Sequence, residues 1–558
     1  MNVAGPAFCW LLQRSADKFM RQTAQFRALS ESTLDQILEL NGNTAFGRDR
    51  GLNGSSARRV FAELPTTTYA DYIPYIDRIA AGEQNVMTAD PVIFFAMTSG
   101  TTGPPKMIPV TRRKRRLSVA GMGISIGLAL RAGALNPMRG PFMQIMTEHL
   151  SGTTAGGIPK GAATTGGFRQ LGGFADAIMS SPADVLRVAD QPTSRYLHLL
   201  FGLRNEHLWA IASFFPAVIL FTIRDLHERA EALLRDLADG TISTDLDLPA
   251  TVRSQLQRRL RPAPERARGL HKLLEQDRFN VAEIWPDVGC LLTVSGGAFH
   301  FYVDQLMPLL GDVPIFSPAY IASEGNFGFG FTPDRPHYLL WPALSYTELL
   351  PTESMDDPGA KPIAAWEAEP GRDYEVVITT WGGLVRYRLN DVVRVVEFHG
   401  ETPVVEFLER RGEVINIVGE KTAEHHIVEA IDTASHLIDE PLVDYVMVPD
   451  TDRTPARYLL AIEEWHGDCE NNRKARAFVR AVDAALRKIC TDYDEECELG
   501  SLGPMELVLL RQGAFERLRY KGIAAGRPAS QVKTPHVSRD PGLLRHEFQE
   551  EVLARISN

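Results

Sequence analysis

Residues 98 to 106 read Thr98, Ser99, Gly100, Thr101, Thr102, Gly103, Pro104, Pro105, Lys106, which crowds hydroxyls, glycines and a lysine into one loop. Glycine frees backbone N–H groups to converge on phosphate oxygens, hydroxyls add donors, and lysine supplies a compact positive charge. The chemistry implied is a phosphate cradle. It is not a Walker loop, because the spacing G-x-x-x-x-G-K-[ST] fails, and Gly121, Gly123 and Gly127 downstream miss the dinucleotide pattern G-x-G-x-x-G. Neither Ser99 nor Ser295 lies in a G-x-S-x-G elbow, and His425-His426 is adjacent with no H-E-x-x-H in the chain, so serine hydrolase and zinc chemistry lack their usual signs.

Together with Met107-Ile108-Pro109-Val110-Thr111, this loop resembles the phosphate loop of adenylate-forming enzymes, the superfamily of acyl-CoA synthetases, luciferases and peptide-synthetase adenylation domains. Further motifs follow in order: Gly296-Gly297-Ala298, Tyr320-Ile321-Ala322-Ser323-Glu324-Gly325, Tyr387-Arg388-Leu389-Asn390-Asp391-Val392 and Lys533-Thr534-Pro535. As a set, across residues 90 to 540, they resemble the auxin-responsive Gretchen Hagen family of acyl-acid amido synthetases.

The resemblance implies an ATP- and Mg²⁺-dependent ligase that adenylates a carboxylic acid and passes the acyl group to an amine, an amino acid above all. It implies nucleotide contacts from Thr98 to Gly103, Lys106, Gly296, Gly297, Ala298, Tyr320, Ala322 and Ser323. Tyr320 would pack on adenine, as an aromatic face suits a purine, and Glu324 would help hold Mg²⁺, which prefers hard oxygen ligands. Asp391 would accept hydrogen bonds from both ribose hydroxyls. Arg388 and Arg394 either approach Asp391 or phosphate, or form surface ion pairs. Lys421, in Gly419-Glu420-Lys421-Thr422, would reach the nucleotide in one lobe orientation, and Lys533 would stabilise charge as the carboxylate attacks the α-phosphate. Where the family usually has glycine before the aspartate, this chain has Asn390, a residue type that tolerates left-handed backbone.

Two alternatives stay open at this point. An acyl-CoA or carrier-protein ligase shares the adenylation step and differs in its acceptor. A nucleotide-binding regulator could keep the fold without catalysis.

The elements that must position these residues read as follows. The apolar run Pro91 to Met97 is a buried strand that delivers the Gly/Thr loop, and a small-residue helix spans Leu117 to Ala134. Leu226, Ala230, Leu233, Leu234 and Leu237 mark one face of an amphipathic helix. The acyl pocket is expected between the segments Leu117 to Ala134 and Tyr196 to Leu220. Strands are predicted at Cys290 to Val294, Pro314 to Phe316, Tyr374 to Thr380, Leu384 to Leu389 and Val392 to Phe398. Interleaved strands and helices make an α/β class fold, a large multi-sheet lobe over 1-408 that binds ATP and acyl substrate. The charged stretch Leu408 to Gly412 is a hinge candidate. A smaller mobile α+β lobe over 409-558 is predicted as β-α-β-β-α-β, the ferredoxin-like order, with strands at Glu413 to Val418, Leu442 to Val448, Tyr458 to Glu463 and Met505 to Leu510, and helices at Ala423 to Ala434 and Arg473 to Ile489.

Composition narrows the setting. The 558 residues, 44% hydrophobic and 23% charged, are ordinary globular material in more than one lobe. A net charge of -11 disfavours nucleic acid, whose phosphates must be neutralised by Lys and Arg. The basic run Arg112, Arg113, Lys114, Arg115, Arg116 is read as a solvated helix start. Five cysteines without a C-x-x-C pair suit reduced thiols and a cytoplasmic enzyme. No apolar stretch approaches a membrane span, and the chain is expected to act as a monomer on small molecules.

Overall fold

The computed structural model describes residues 4 to 557 apart from 98–105, 136–139, 149, 164–175, 177, 189, 276–278, 358, 412–413, 416, 418–419, 421, 437–441, 454, 465–472, 499–501 and 525–533. The chain divides into two compact units, Met1–Phe407 and Leu408–Asn558.

Among the described residues, the first unit holds three sheets. In one, the strand Val92–Met97 lies between Met107–Thr111, its antiparallel partner, and Pro159–Ala162, its parallel partner, with Leu150–Thr153 at the edge. The predicted strand into the Gly/Thr loop is therefore present, and its return strand runs straight into the helix Arg112–Arg131. The helix starts at the basic run, as read, and takes in the small-residue segment from Leu117; Thr111 caps it by accepting from Lys114 N at 3.2 Å.

The second sheet has eight strands in the order Ile363–Ala364, Ser345–Pro351, Asp373–Thr380, Tyr387–His399, Thr402–Arg410, His337–Leu340, Gly325–Gly330 and Ala319–Ala322. One face packs on the N-terminal helices through Phe26, Leu34, Leu38 and Phe46, meeting Tyr320, Phe327, Tyr338 and Val393. The other face carries Phe329, Leu339 and Trp341, which meet Leu12, Ala16 and Phe19 of the helix Ala4–Gln22 and Ile124 and Leu128 of the helix Arg112–Arg131. Gly121 lets the helix approach closely at that contact, since a Cβ there would sit 3.1 Å from the Phe329 ring and 3.3 Å from Trp341 and would push them apart. The predicted strands Leu384 to Leu389 and Val392 to Phe398 are one continuous strand, Tyr387–His399, entered through a turn.

The third sheet is parallel, in the order Met143–Gln144, Ala210–Ala212, Cys290–Leu292 and Ile315–Phe316. A helical layer covers it, in which Tyr196, Leu197, Leu220, Leu226, Leu233 and Leu237 are almost wholly buried. The single amphipathic helix predicted around Leu226 to Leu237 is split at Arg229 into Pro216–Glu228 and Ala230–Asp239.

The second unit departs from the ferredoxin-like order. Its four-stranded sheet runs Tyr445–Asp450, Arg457–Glu463, Glu506–Leu510 and Val552–Ser557, paired antiparallel, parallel and antiparallel. The predicted first strand, Glu413 to Val418, contributes only Val414–Ile415, which pairs with Thr422–Ala423 outside that sheet. Its place as an outer strand is taken by Val552–Ser557, which turns Val552, Ala554 and Ile556 inward in strict alternation but buries only Ile556 fully. The helices Glu424–Ser435 and Arg473–Ile489 match the prediction, the latter burying Phe478, Val479, Val482 and Leu486 on one stripe.

The four described cysteines, Cys9, Cys290, Cys490 and Cys497, are free thiols, and among the described residues no helix is long and apolar enough to cross a membrane.

Candidate functional site

The Tyr387–His399 strand positions Asp391 by an irregularity. Its ladder with Asp373–Thr380 pairs Val377 with Arg388 and Glu375 with Val392, so Leu389, Asn390 and Asp391 stand opposite Val376 alone. Asn390 has φ +62, a left-handed conformation that lets the chain bulge. The bulge turns Asp391 to the face occupied by Tyr320, whose Oη donates to Asp391 Oδ2 at 2.8 Å. Asp391 is 1% exposed. Tyr320 is itself buried, its ring centroid 5.4 Å from Phe327 and 6.0 Å from Phe407, while its strand neighbour Ile321 is 46% exposed.

From the Tyr320 strand the chain turns through Ala322, Ser323 and Glu324. Among the described residues, one side-chain hydrogen bond reaches Glu324, a long one of 3.4 Å from Tyr387 Oη to Oε1. Gly325 closes the turn in tight packing, since a Cβ there would lie 2.9 Å from Leu344 Cδ2 and 3.1 Å from the Phe327 ring, and those side chains would have to shift. Lys106, the last residue of the Gly/Thr loop, sets its Nζ 5.5 Å from the Tyr69 ring centroid, and Tyr69 Oη accepts from Met107 N at 2.8 Å. Burial pushes the Tyr69 phenol up, and the negative charge of Glu324 adds to the effect. The segment Tyr320 to Glu324 thus carries two hydrogen-bonded pairs, Tyr320–Asp391 and Tyr387–Glu324, while Lys106 lies beside Tyr69.

Sequence reasoning missed Lys114. It belongs to the basic run read as solvated, yet it is 8% exposed and its Nζ donates to the Ser323 carbonyl at 2.8 Å. Burial pulls its ammonium down to about 8, against the attraction of the Glu324 carboxylate. The run is the first turn of a helix, so its residues point in different directions: Arg112 and Arg113 face solvent, and Arg113 lies 4.0 Å over the Trp381 ring. Helical spacing alone would have marked Lys114, Gly121 and Leu128 as one inward stripe.

The other expected residues fall as follows. Gly296 and Gly297 follow the strand Cys290–Leu292. A Cβ on Gly296 would meet Pro336 Cβ at 3.3 Å, and Gly297 has φ +59, so both positions favour glycine. Ala298 lies in the 3₁₀ turn Gly297–Phe299. Arg394 is not brought to Asp391: three positions on along a strand, it points to the opposite face and pairs bidentately with Asp373 at 2.8 and 3.0 Å. Arg388 likewise pairs with Glu375. Of the segments expected to line an acyl pocket, Tyr196 to Leu200 is core, whereas Val119 and Met122 on the helix Arg112–Arg131 are exposed. Thr98 to Pro105, Lys421 and Lys533 lie outside the described residues.

Residues flanking the two lysines of the second unit are firmly held. Glu420, fully buried, accepts from Tyr458 Oη at 2.9 Å and from Ile417 N at 2.8 Å. Past Lys533, the His536 carbonyl accepts from Met447 N at 2.8 Å and Ser538 N donates back to Met447 O at 2.9 Å. The His536 ring stacks on Tyr445 with centroids 4.3 Å apart, and its Nε2 lies 3.1 Å from Asp444 Oδ1.

The chain resembles known proteins along nearly its whole length. The indole-3-acetic acid-amido synthetase GH3.4 of Arabidopsis thaliana is 27% identical over 538 residues, covering 91% of this chain and 88% of that protein. The jasmonoyl-L-amino acid synthetase GH3.5 of Oryza sativa subsp. japonica is 28% identical over 553 residues, covering 94% of each. Among solved structures, the AtGH3.15 acyl acid amido synthetase in complex with 2,4-DB superposes with a TM-score of 0.87 at 25% identity, over 98% of this chain and 97% of that one. The sequence matches the GH3 family N-terminal domain over residues 15–315, the central domain over 338–410 and the C-terminal domain over 425–542, and the chain belongs to the GH3 family.

Proposed function

We propose that the chain is an ATP-dependent acyl acid amido synthetase, a ligase that forms a carbon–nitrogen bond. The observation that carries the reading is the buried Tyr320–Asp391 pair beside the Glu324 turn, in a chain that is collinear with the GH3 amido synthetases. A carboxylate oxygen of the acid attacks the α-phosphorus of ATP, the bond from that phosphorus to the bridging oxygen breaks, and pyrophosphate leaves. The amine nitrogen then attacks the acyl carbon, AMP departs and the nitrogen loses a proton. Adenylation converts a poor leaving oxygen into a good one.

The chain's own groups divide this work. Asp391 accepts from the vicinal ribose hydroxyls, with Tyr320 holding one of its oxygens in place. The loop Thr98 to Lys106 cradles phosphate, and Gly296 to Ala298 keep the backbone open to close approach. Lys533 stabilises charge during adenylation and Lys421 serves another orientation of the second unit. Glu324 suits Mg²⁺: a buried carboxylate on a tight turn, next to the phosphate loop through Tyr69 and Lys106. When bound, the metal would offset the negative charge of the phosphates. We take the enzyme to act as a cytoplasmic monomer on small molecules, a setting supported by free thiols and negative charge.

The test incubates the protein with ATP, Mg²⁺, mixed carboxylic acids and mixed amino acids, and identifies products by mass spectrometry. An amide with AMP and pyrophosphate is expected, and labelled pyrophosphate should exchange into ATP with acid present and amine absent. Release of ADP, or a thioester formed with CoA and no amide, would overturn the reading.

A further inference from the structure

Glu324 is held loosely by its own side chain and tightly by its backbone. Among the described residues the side-chain hydrogen bond to Glu324 is the long one from Tyr387, and it does not fix a carboxylate in direction, since bonds near 3.4 Å are weak. What sets the direction is the turn from Ala322 to Gly325, and it is clamped at two points. On one side Gly325 packs closely against Leu344 and Phe327, whose side chains would have to shift for a methyl group. On the other, Lys114 Nζ donates to the Ser323 carbonyl.

The lysine is placed rigidly enough to act as a clamp. Its backbone N–H is bonded to Thr111 Oγ1, which is fully buried, and the helix start is continuous with a strand of the sheet that delivers the phosphate loop. A buried lysine is a costly way to hold a carbonyl. Apolar groups of similar volume in such places are often neutral or stabilising, so a charge kept there points to a task other than folding.

We propose that Lys114 is a positioning residue: by tying the Ser323 carbonyl to the first turn of the helix Arg112–Arg131, it directs the Glu324 carboxylate and thereby sets the metal-dependent part of nucleotide binding. This rests on the amido synthetase reading, in which Glu324 contacts Mg²⁺. It predicts a separation between stability, metal-free nucleotide binding and metal-linked binding that a purely structural lysine would not give.

The experiment uses the full chain with Lys114→Met, which keeps volume and removes the donor, and Lys114→Arg, which keeps donors and charge. Three quantities are read: the thermal midpoint, AMP affinity without metal by calorimetry, and the gain in affinity for a non-hydrolysable ATP analogue on adding Mg²⁺. Lys114→Met should melt at or above the wild-type temperature and bind AMP within about twofold of wild type. Its Mg²⁺-dependent gain should fall about tenfold, and Lys114→Arg should recover part of it. A lowered midpoint with AMP and analogue affinities falling together would show a structural lysine and overturn the proposal, as would an unchanged Mg²⁺ gain. If the wild type binds neither AMP nor the analogue, the amido synthetase reading fails and takes this proposal with it. A wild type that gains affinity with Mg²⁺ alongside an indifferent Met variant defeats the proposal alone.

Discussion

Arg386 and Asn390 are four residues apart, both with left-handed backbone at φ +47 and φ +62, and the chain holds them by opposite means. Arg386 is a bulky residue in a conformation that sterics disfavour, and its surroundings over-determine it. Its guanidinium makes two bonds to Glu348, at 3.0 and 3.2 Å, its N–H donates to Thr379 Oγ1, and its carbonyl accepts from Thr67 N. Asn390 is only partly buried, and its own type supplies the tolerance. One turn is maintained by the tertiary structure and the other by the residue. The difference teaches where substitution will be felt: at Arg386 as lost stability, at Asn390 as a small shift in the aim of Asp391.

The largest effect should come from Arg386→Met. Removing one partner of a buried pair leaves the other uncompensated, at a cost of about 3–5 kcal/mol. Burial already pushes Glu348 from 4.5 up to about 7, with Arg386 opposing the rise. A carboxyl raised in the folded state stabilises while protonated, and that contribution is lost as pH climbs from the ordinary carboxylate range through 7. Without Arg386 the Glu348 value rises further, so the deficit should be full at pH 8 and smaller by about 1 kcal/mol or more at pH 5. Denaturant unfolding at the two pH values measures it, and an equal deficit at both would mean Glu348 stays ionised throughout.

Asp391→Ala comes next. It should cost about 1–3 kcal/mol in stability, because the buried Tyr320 hydroxyl loses its acceptor, and weaken AMP and ATP binding by at least about tenfold, since each hydrogen bond to a charged acceptor contributes about 1.5–3 kcal/mol. Calorimetry that finds unchanged affinity would remove Asp391 from the site. Asn390→Ala should cost about 1 kcal/mol in stability, the order of the left-handed penalty, and lower AMP affinity a few-fold by shifting the bulge. Smallest of all, Asn390→Gly should stay within about 0.5 kcal/mol of wild type and bind AMP unchanged, because glycine adopts the same backbone without strain. If Ala is tolerated as well as Gly, the residue type is not what maintains the second turn and the contrast with Arg386 collapses.

What the sequence disclosed followed local chemistry. The strand into the Gly/Thr loop, the helix Arg473–Ile489 and the left-handed position at Asn390 were legible because each is specified by neighbouring residue types: an apolar run, a 3.6-residue stripe, an Asn where the family has Gly. Lys114 was hidden because four arginines around it imitate a solvated face, and only the packing of the first helical turn against Ser323 distinguishes it. Arg394 looked like a site residue by proximity in sequence, and the pleat sent it to Asp373. The edge strand Val552–Ser557 escaped because it is short and its alternation is weak in residue type: Leu553 faces outward and the small Ala554 inward. An edge strand alternates in exposure without alternating cleanly between apolar and polar residues.

The stitching of His536 and Ser538 onto Met447 also closes an edge. The strand Tyr445–Asp450 is paired on one side with Arg457–Glu463, and on the other side the main-chain groups of Met447 are taken up by His536 and Ser538. An open strand edge invites pairing with another chain, and this one offers fewer free donors and acceptors in its middle.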